Sequence, residues 1–73
     1  MKFRVGDKVR IRKDSKYYVA GRSNPKDTAG IIEEIGPCRN WQSHMITVKW
    51  PDEWSNNYRV YDLELDEEVL YEI

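Results

Sequence analysis

The sequence predicts an all-β domain, a small and strongly bent barrel of five to six short antiparallel strands. Three observations predict it. Apolar and polar residues alternate with a period of two where β-branched residues concentrate. Proline, glycine and asparagine punctuate the chain at short intervals. No apolar period of 3.6 runs long enough to make a helix. The 73 residues form one domain (1–73) without repeats or linkers. A chain of that size buries only about 60% of the surface its unfolded form exposes, so its core must be rich in large side chains. Three tryptophans, five tyrosines and a phenylalanine meet that need.

Each element follows from its local pattern. In "VGDKVRIRK", Val9 and Ile11 alternate with Lys8, Arg10 and Arg12, giving a first strand with one apolar and one basic face. In "HMITVKW", Ile46, Val48 and Trp50 alternate with Met45, Thr47 and Lys49, so both stretches read as half-buried antiparallel strands. Between them, "TAGIIEEIG" steps from Ile32 to Ile35, an interval of three that breaks alternation and predicts a bulge or sharp bend. Gly30 at its start favours a close backbone approach. Asn24-Pro25, Gly36-Pro37, and Pro51 with Asn56-Asn57 are turn chemistry, because proline fixes φ and asparagine tolerates positive φ. A long loop spans residues 14–27, and a sharp turn at Tyr61-Asp62 precedes "LEL" and the acidic tail. Two readings of the tail stand: Val69, Tyr71 and Ile73 alternate as in a strand, and "DEEVLYE" fits one helical turn.

Composition narrows the function classes. The formal charge of −1 hides an asymmetry: residues 1–26 carry nine Lys/Arg against two Asp, and residues 27–73 carry three against eleven acidic groups. A single cysteine, Cys38, excludes an internal disulfide and suits a reducing cytoplasm. No apolar run is long enough for a signal-peptide core or a membrane span, so a soluble, cytoplasmic protein without membrane contact is expected. One cysteine and one histidine make no usual metal site, and no glycine-rich phosphate loop is present. His44 reads as a rim histidine, Cys38 lacks a base, and Glu33-Glu34 are expected on opposite strand faces, unable to act as a dyad. No enzyme activity and no cofactor are expected.

Individual residues then divide between core and surface. Trp50 continues the inward set of Ile46 and Val48 and belongs to the core. Trp54 falls in a hairpin loop, where it is either an anchor for a partner or a lid over the barrel end. Trp41, Tyr17 and Tyr18 also fall in loops. Arg59 and Asp62 stand next to a tight turn and read as structural, paired with each other or with turn backbone groups. Lys8, Arg10, Arg12, Lys13, Lys16 and Arg22 form a phosphate-tracking stripe, or else Lys8, Arg10 and Arg12 make cross-strand pairs with Glu64, Glu67, Glu68 or Glu72, if first and last strands lie side by side.

Gly30 with Ile32 and Ile35, then Val48 and Trp50, then Asn56, Tyr58 and Arg59, then Asp62 and Leu63 make a series that resembles the SH3-like barrel family, most of all its Mind bomb-type domains. There a V-x-W strand is followed by a Y-R pair and then a D-L pair, and the interval of eight from Trp50 to Tyr58 matches. The chain differs in having "PDEW" where that family has D-N-G, in lacking its Gly- and Trp-rich first loop, and in the short "YRVYDL". The "VGDKVRI" and "GIIEEI" segments are also similar to KOW and Tudor-like domains, which bind RNA, ribosomes or proteins.

The resemblance implies a groove flanked by the long first loop, the loop of Trp41 and the turn of Trp54. Tyr17, Tyr18, Trp41, Trp54 and Tyr58 would form an aromatic platform there, with Asn57, Arg59 and Lys49 orienting a protein or peptide ligand. The expected function is a non-enzymatic protein-interaction module. A chain this small also fits a viral or mobile-element accessory protein acting on a host protein. The alternative is a nucleic-acid binder of KOW or Tudor-like type using the basic first strand. A monomer or weak homodimer is expected, the latter through edge pairing of strands.

Overall fold

A computed structural model describes residues 3–19, 24–37 and 43–66. The tail beyond Asp66, Cys38, Trp41 and Arg22 therefore lie outside the described residues. Five strands run in chain order: β1 (Lys8–Ile11), β2 (Gly30–Ile35), β3 (Ile46–Lys49), β4 (Ser55–Tyr58) and β5 (Leu63–Leu65), with a 3-10 turn (Val60–Asp62) before the last. They form one antiparallel sheet in the order β4-β3-β2-β1-β5. The first and last strands lie side by side as expected, with Val9, Arg10 and Ile11 opposite Leu65, Glu64 and Leu63. The sheet is not closed: β4 and β5 are its two edges.

The period-two reading holds in β1 and β3. Val9, Ile11, Ile46, Val48 and Trp50 are buried, while Lys8 and Arg10 face outward. Met45, expected on the polar face, is buried as well, because it precedes β3 and is not bound by that strand's alternation. The predicted bulge lies between Ile32 and Glu34, where Glu33 is the extra residue opposite the Val48-Thr47 step. The extra residue turns Ile35 back to the side of Ile32, opposite Ile46 and Val48, which is why the sequence interval is three. It also leaves both Glu33 and Glu34 exposed, correcting their expected placement on opposite faces.

Two glycines set the path into the sheet. Gly6, with φ of +97°, lets the chain reverse between Arg4 and Asp7. The Asp7 side chain accepts the Arg4 N–H at 2.9 Å, and the turned backbone then exchanges hydrogen bonds with Ile32. Gly30 is needed for space: a Cβ there would stand 2.6 Å from Val48 Cγ1 and from Trp50 Cε3. The close approach expected of Gly30 is thus an approach to the core tryptophan.

The β3–β4 reversal corrects another expectation. Asn56 and Asn57 are not turn residues but sit in β4 opposite Val48 and Thr47. The turn is made before them by Pro51, Asp52 and Glu53: Glu53 N–H donates to the Trp50 carbonyl at 2.9 Å and Glu53 adopts a φ of +74°. Asp52 Oδ1 accepts the Trp54 N–H at 3.2 Å, so proline and aspartate suffice and the asparagines are released to pair.

The chain enters β5 through a buried ion pair. Arg59 Nε and Nη2 donate to the Asp62 carboxylate at 2.7 and 2.8 Å, its own backbone N–H donates at 3.0 Å, and Ser15 Oγ donates from the first loop at 2.8 Å. The Asp62 carbonyl meanwhile accepts the Arg12 N–H at the end of β1. Burial acts to raise the Asp62 carboxyl pKa, but the bonds from Arg59 and Ser15 outweigh it and hold it below the ordinary aspartate value.

Two variants test these contacts. Gly30→Ala overpacks the core against Trp50 and is expected to cost about 1–3 kcal/mol, read as a lower urea midpoint with an unchanged slope. Asp62→Asn is expected to cost about 3 kcal/mol near neutral pH, since it leaves Arg59 without its carboxylate. A depressed native pKa stabilises the fold above the unfolded value of about 3.9 and ceases to do so as pH falls through the native value. The gap between native protein and Asp62→Asn in urea titrations should therefore be full at pH 6–7 and shrink below about pH 4; a gap independent of pH would refute this account.

Candidate functional site

The core beneath the site is small and aromatic. Trp50 is 2% exposed and Tyr58 0%, and their rings meet edge to face at 5.9 Å. Tyr58 was expected on the binding surface; its inward position at the end of β4, opposite Ile46, places it in the core instead. Its hydroxyl accepts from Trp50 Nε1 at 3.2 Å and donates to Asn24 Oδ1 at 2.8 Å, and Asn24 Oδ1 also accepts from Asn56 Nδ2. Burial pushes the Tyr58 hydroxyl pKa up to about 12. This network ties the long first loop to the sheet, because the buried hydroxyl is satisfied in part by Asn24 of that loop.

Over Tyr58 lies Tyr17, half-buried, with ring centroids 5.8 Å apart and the planes nearly perpendicular. Its hydroxyl bonds His44 Nε2 at 2.8 Å, so His44 is the rim residue expected and is held against the loop. On the other side the Arg59 guanidinium lies 5.3 Å from the Tyr17 centroid and 4.5 Å from that of Tyr61. His44, Tyr17, Arg59 and Tyr61 thus form one connected ridge from the start of β3 to the 3-10 turn. Tyr61 is 41% exposed. Beside His44 the surface dips into a shallow depression of about 350 Å³ between Pro37, Ser43, Thr47 and Asn57. Asn57, exposed on β4, accepts the Thr47 hydroxyl proton there at 2.9 Å.

The other candidates lie elsewhere. Tyr18 packs against the core's edge, donates its hydroxyl to Asp27, which raises its pKa, and has Lys26 over its ring. Trp54 is 51% exposed, as the anchor reading requires, but it precedes β4 while Tyr58 ends it, roughly 13 Å away along the strand. A second depression of about 180 Å³, between Ile31, Lys49, Pro51 and Glu53, lies at that end, and Lys49 bridges Glu53 at 2.8 Å. The structure therefore separates two exposed aromatic centres where a single groove was expected. Tyr61 was missed by sequence reasoning, although its position next to the turn aspartate marks a side chain that a tight turn holds outward.

The basic first strand is partly neutralised within the fold. Arg10 faces its register partner Glu64 at 3.8 Å, as the cross-strand reading requires, whereas Arg12 forms a two-bond fork with Asp14. Lys8, Lys13 and Lys16 are exposed. Among the described residues no group of three or more His, Cys, Asp or Glu is placed to hold a metal, and no helix is long and apolar enough to cross a membrane.

Self-pairing through β4 meets a structural obstacle. The bond from Trp50 N–H to the Trp54 carbonyl sets the alternation of this hairpin, which turns the Asn57 N–H away from β3. That N–H is taken by Asn56 Oδ1 at 2.9 Å, and a bonded side chain on the edge blunts strand addition.

Tyr58→Phe tests the network under the ridge. It leaves the Trp50 indole N–H without its acceptor and is expected to cost about 1–3 kcal/mol in urea unfolding while keeping the β-sheet far-ultraviolet spectrum. Neutral stability would mean that water satisfies both Trp50 and Asn24.

Comparison with protein-family models, with curated proteins and with solved structures gives no match to this chain, so the site rests on its own geometry.

Proposed function

We propose that the domain is a non-enzymatic protein-interaction module that binds an extended peptide or protein segment along the ridge of His44, Tyr17, Arg59 and Tyr61. The observation that carries this reading is the ridge itself: adjoining aromatic and guanidinium groups, partly exposed and pre-ordered by the buried Asp62 and Tyr58 beneath them. Rigid aromatic side chains give contact area at little cost in conformational entropy, and Tyr and Arg are enriched among interface hot spots. The depression beside Asn57 adds room for a side chain of the ligand. Trp54, on the far end of β4, supplies a second contact for a longer partner. The resemblance to peptide-binding SH3-like barrels agrees with this reading, and the lone cysteine agrees with action in a reducing, cytoplasmic compartment.

Binding to nucleic acid through β1 is the less favoured reading, because Arg10 and Arg12 already hold carboxylates and a phosphate would have to displace them. An affinity capture with the tagged chain, with and without nuclease, compares the readings. The proposal expects a defined protein that survives nuclease and falls at least about tenfold with Tyr61→Ala, the loss typical of an interface hot spot. Captured material that vanishes with nuclease and ignores Tyr61→Ala would instead identify the basic strand as the working surface.

A further inference from the structure

The two exposed aromatic centres differ in charge. Around Trp54 stand Asp52, Glu53 and Glu33, with Lys49 bonded to Glu53. Around the ridge the sign is reversed. Lys16 Nζ lies 5.3 Å from the Tyr17 centroid, and the Arg59 guanidinium is equally close to the same ring. Two described acids of this region, Asp62 and Asp14, are already engaged. Asp62 is buried and accepts from Arg59 and Ser15, and both oxygens of Asp14 accept from Arg12. Among the described residues Lys16 has no carboxylate partner, and Nη1 of Arg59 donates to no protein group. The ridge therefore offers donors and positive charge to a ligand, and among the described residues it presents no free exposed carboxylate.

We propose that the ridge selects an acidic peptide. An aspartate or glutamate of an extended segment would meet Lys16 and Nη1 of Arg59, while apolar or proline neighbours pack on Tyr61 and Tyr17. The inference rests on the peptide-binding reading above and adds the chemistry of the ligand. Charge complementarity of this kind sets partner choice and association rate more than raw affinity, so basic segments are turned away from the ridge. A carboxylate fits better than a nucleic-acid backbone because a single charge suffices for it: of the next four cations along the first loop and β1, Arg12 and Arg10 are engaged with Asp14 and Glu64, so Lys13 and Lys8 remain as separated exposed charges and not as a continuous stripe.

The test is a selection of short random peptides on the full chain. Enriched peptides are then synthesised together with analogues carrying Asn for Asp and Gln for Glu, and a labelled oligothymidylate serves as the nucleic-acid probe. Dissociation constants are read by fluorescence anisotropy on the native protein, Lys16→Gln, Lys16→Glu and Tyr61→Ala. The proposal expects acidic enriched peptides, a loss of about three- to fivefold on neutralising the acid or on Lys16→Gln, and a larger loss on Lys16→Glu, all weakened by salt. Peptides that need Tyr61 yet bind equally well as neutral analogues would overturn the acidic preference and leave peptide binding intact. If no selected peptide depends on Tyr61, the peptide-binding reading itself fails. Oligothymidylate binding that depends on Lys16 and Tyr61, with no such peptide, would assign the ridge to nucleic acid.

Discussion

The Asp62 carboxylate is the constraint on which this end of the molecule depends. It is fully buried, and a buried carboxylate is tolerated only when charge and hydrogen bonds surround it. The partners come from different parts of the chain: Arg59 across the 3-10 turn and Ser15 from the long first loop. Satisfying one side chain thereby fixes the start of β5, anchors the first loop and holds the guanidinium that joins Tyr17 to Tyr61. The surface that we read as a binding ridge is thus the outer layer of a structural ion pair.

A second buried polar group works in parallel. The Tyr58 hydroxyl mediates between the Trp50 indole in the core and Asn24 in the loop, and Asn24 also meets Asn56 on the edge strand. The first loop is therefore held at both ends, by Ser15 on Asp62 and by Asn24 on Tyr58. Long loops usually carry high conformational entropy; here two polar anchors and the packing of Tyr17 and Tyr18 against the core reduce it. That rigidity makes a partly exposed tyrosine in a loop useful for recognition, because little further ordering is needed on binding.

Charge is divided with the same economy. The basic first third of the chain meets acids in the fold, Arg10 on Glu64 across strands and Arg12 on Asp14 at the strand end. Exposed pairs of this kind contribute little to stability, but they remove cations from a general phosphate-binding stripe. What remains is Lys8 and Lys13 singly on the surface, a positive ridge near Tyr17 and an acidic hairpin near Trp54. The two centres carry charge of opposite sign.

The sequence by itself determined the all-β class, the inward sets of β1 and β3, the bulge after Ile32, the crowding at Gly30, the core position of Trp50 and the Arg59-Asp62 pair. Each is written in local spacing or in a side chain whose burial has one economical solution. The placement of Asn56-Asn57 in a strand, the burial of Tyr58, the separation of Trp54 from Tyr17 and the exposure of Tyr61 were decided only by the tertiary structure. Asparagine chemistry fits a turn or an edge strand equally well, and which one forms depends on Pro51 and Asp52 closing the turn first. An aromatic residue likewise serves core or surface, and what distinguishes Tyr58 from Tyr61 is the register of β4 against β3 and the 3-10 turn that follows, pairings between segments that no local pattern encodes.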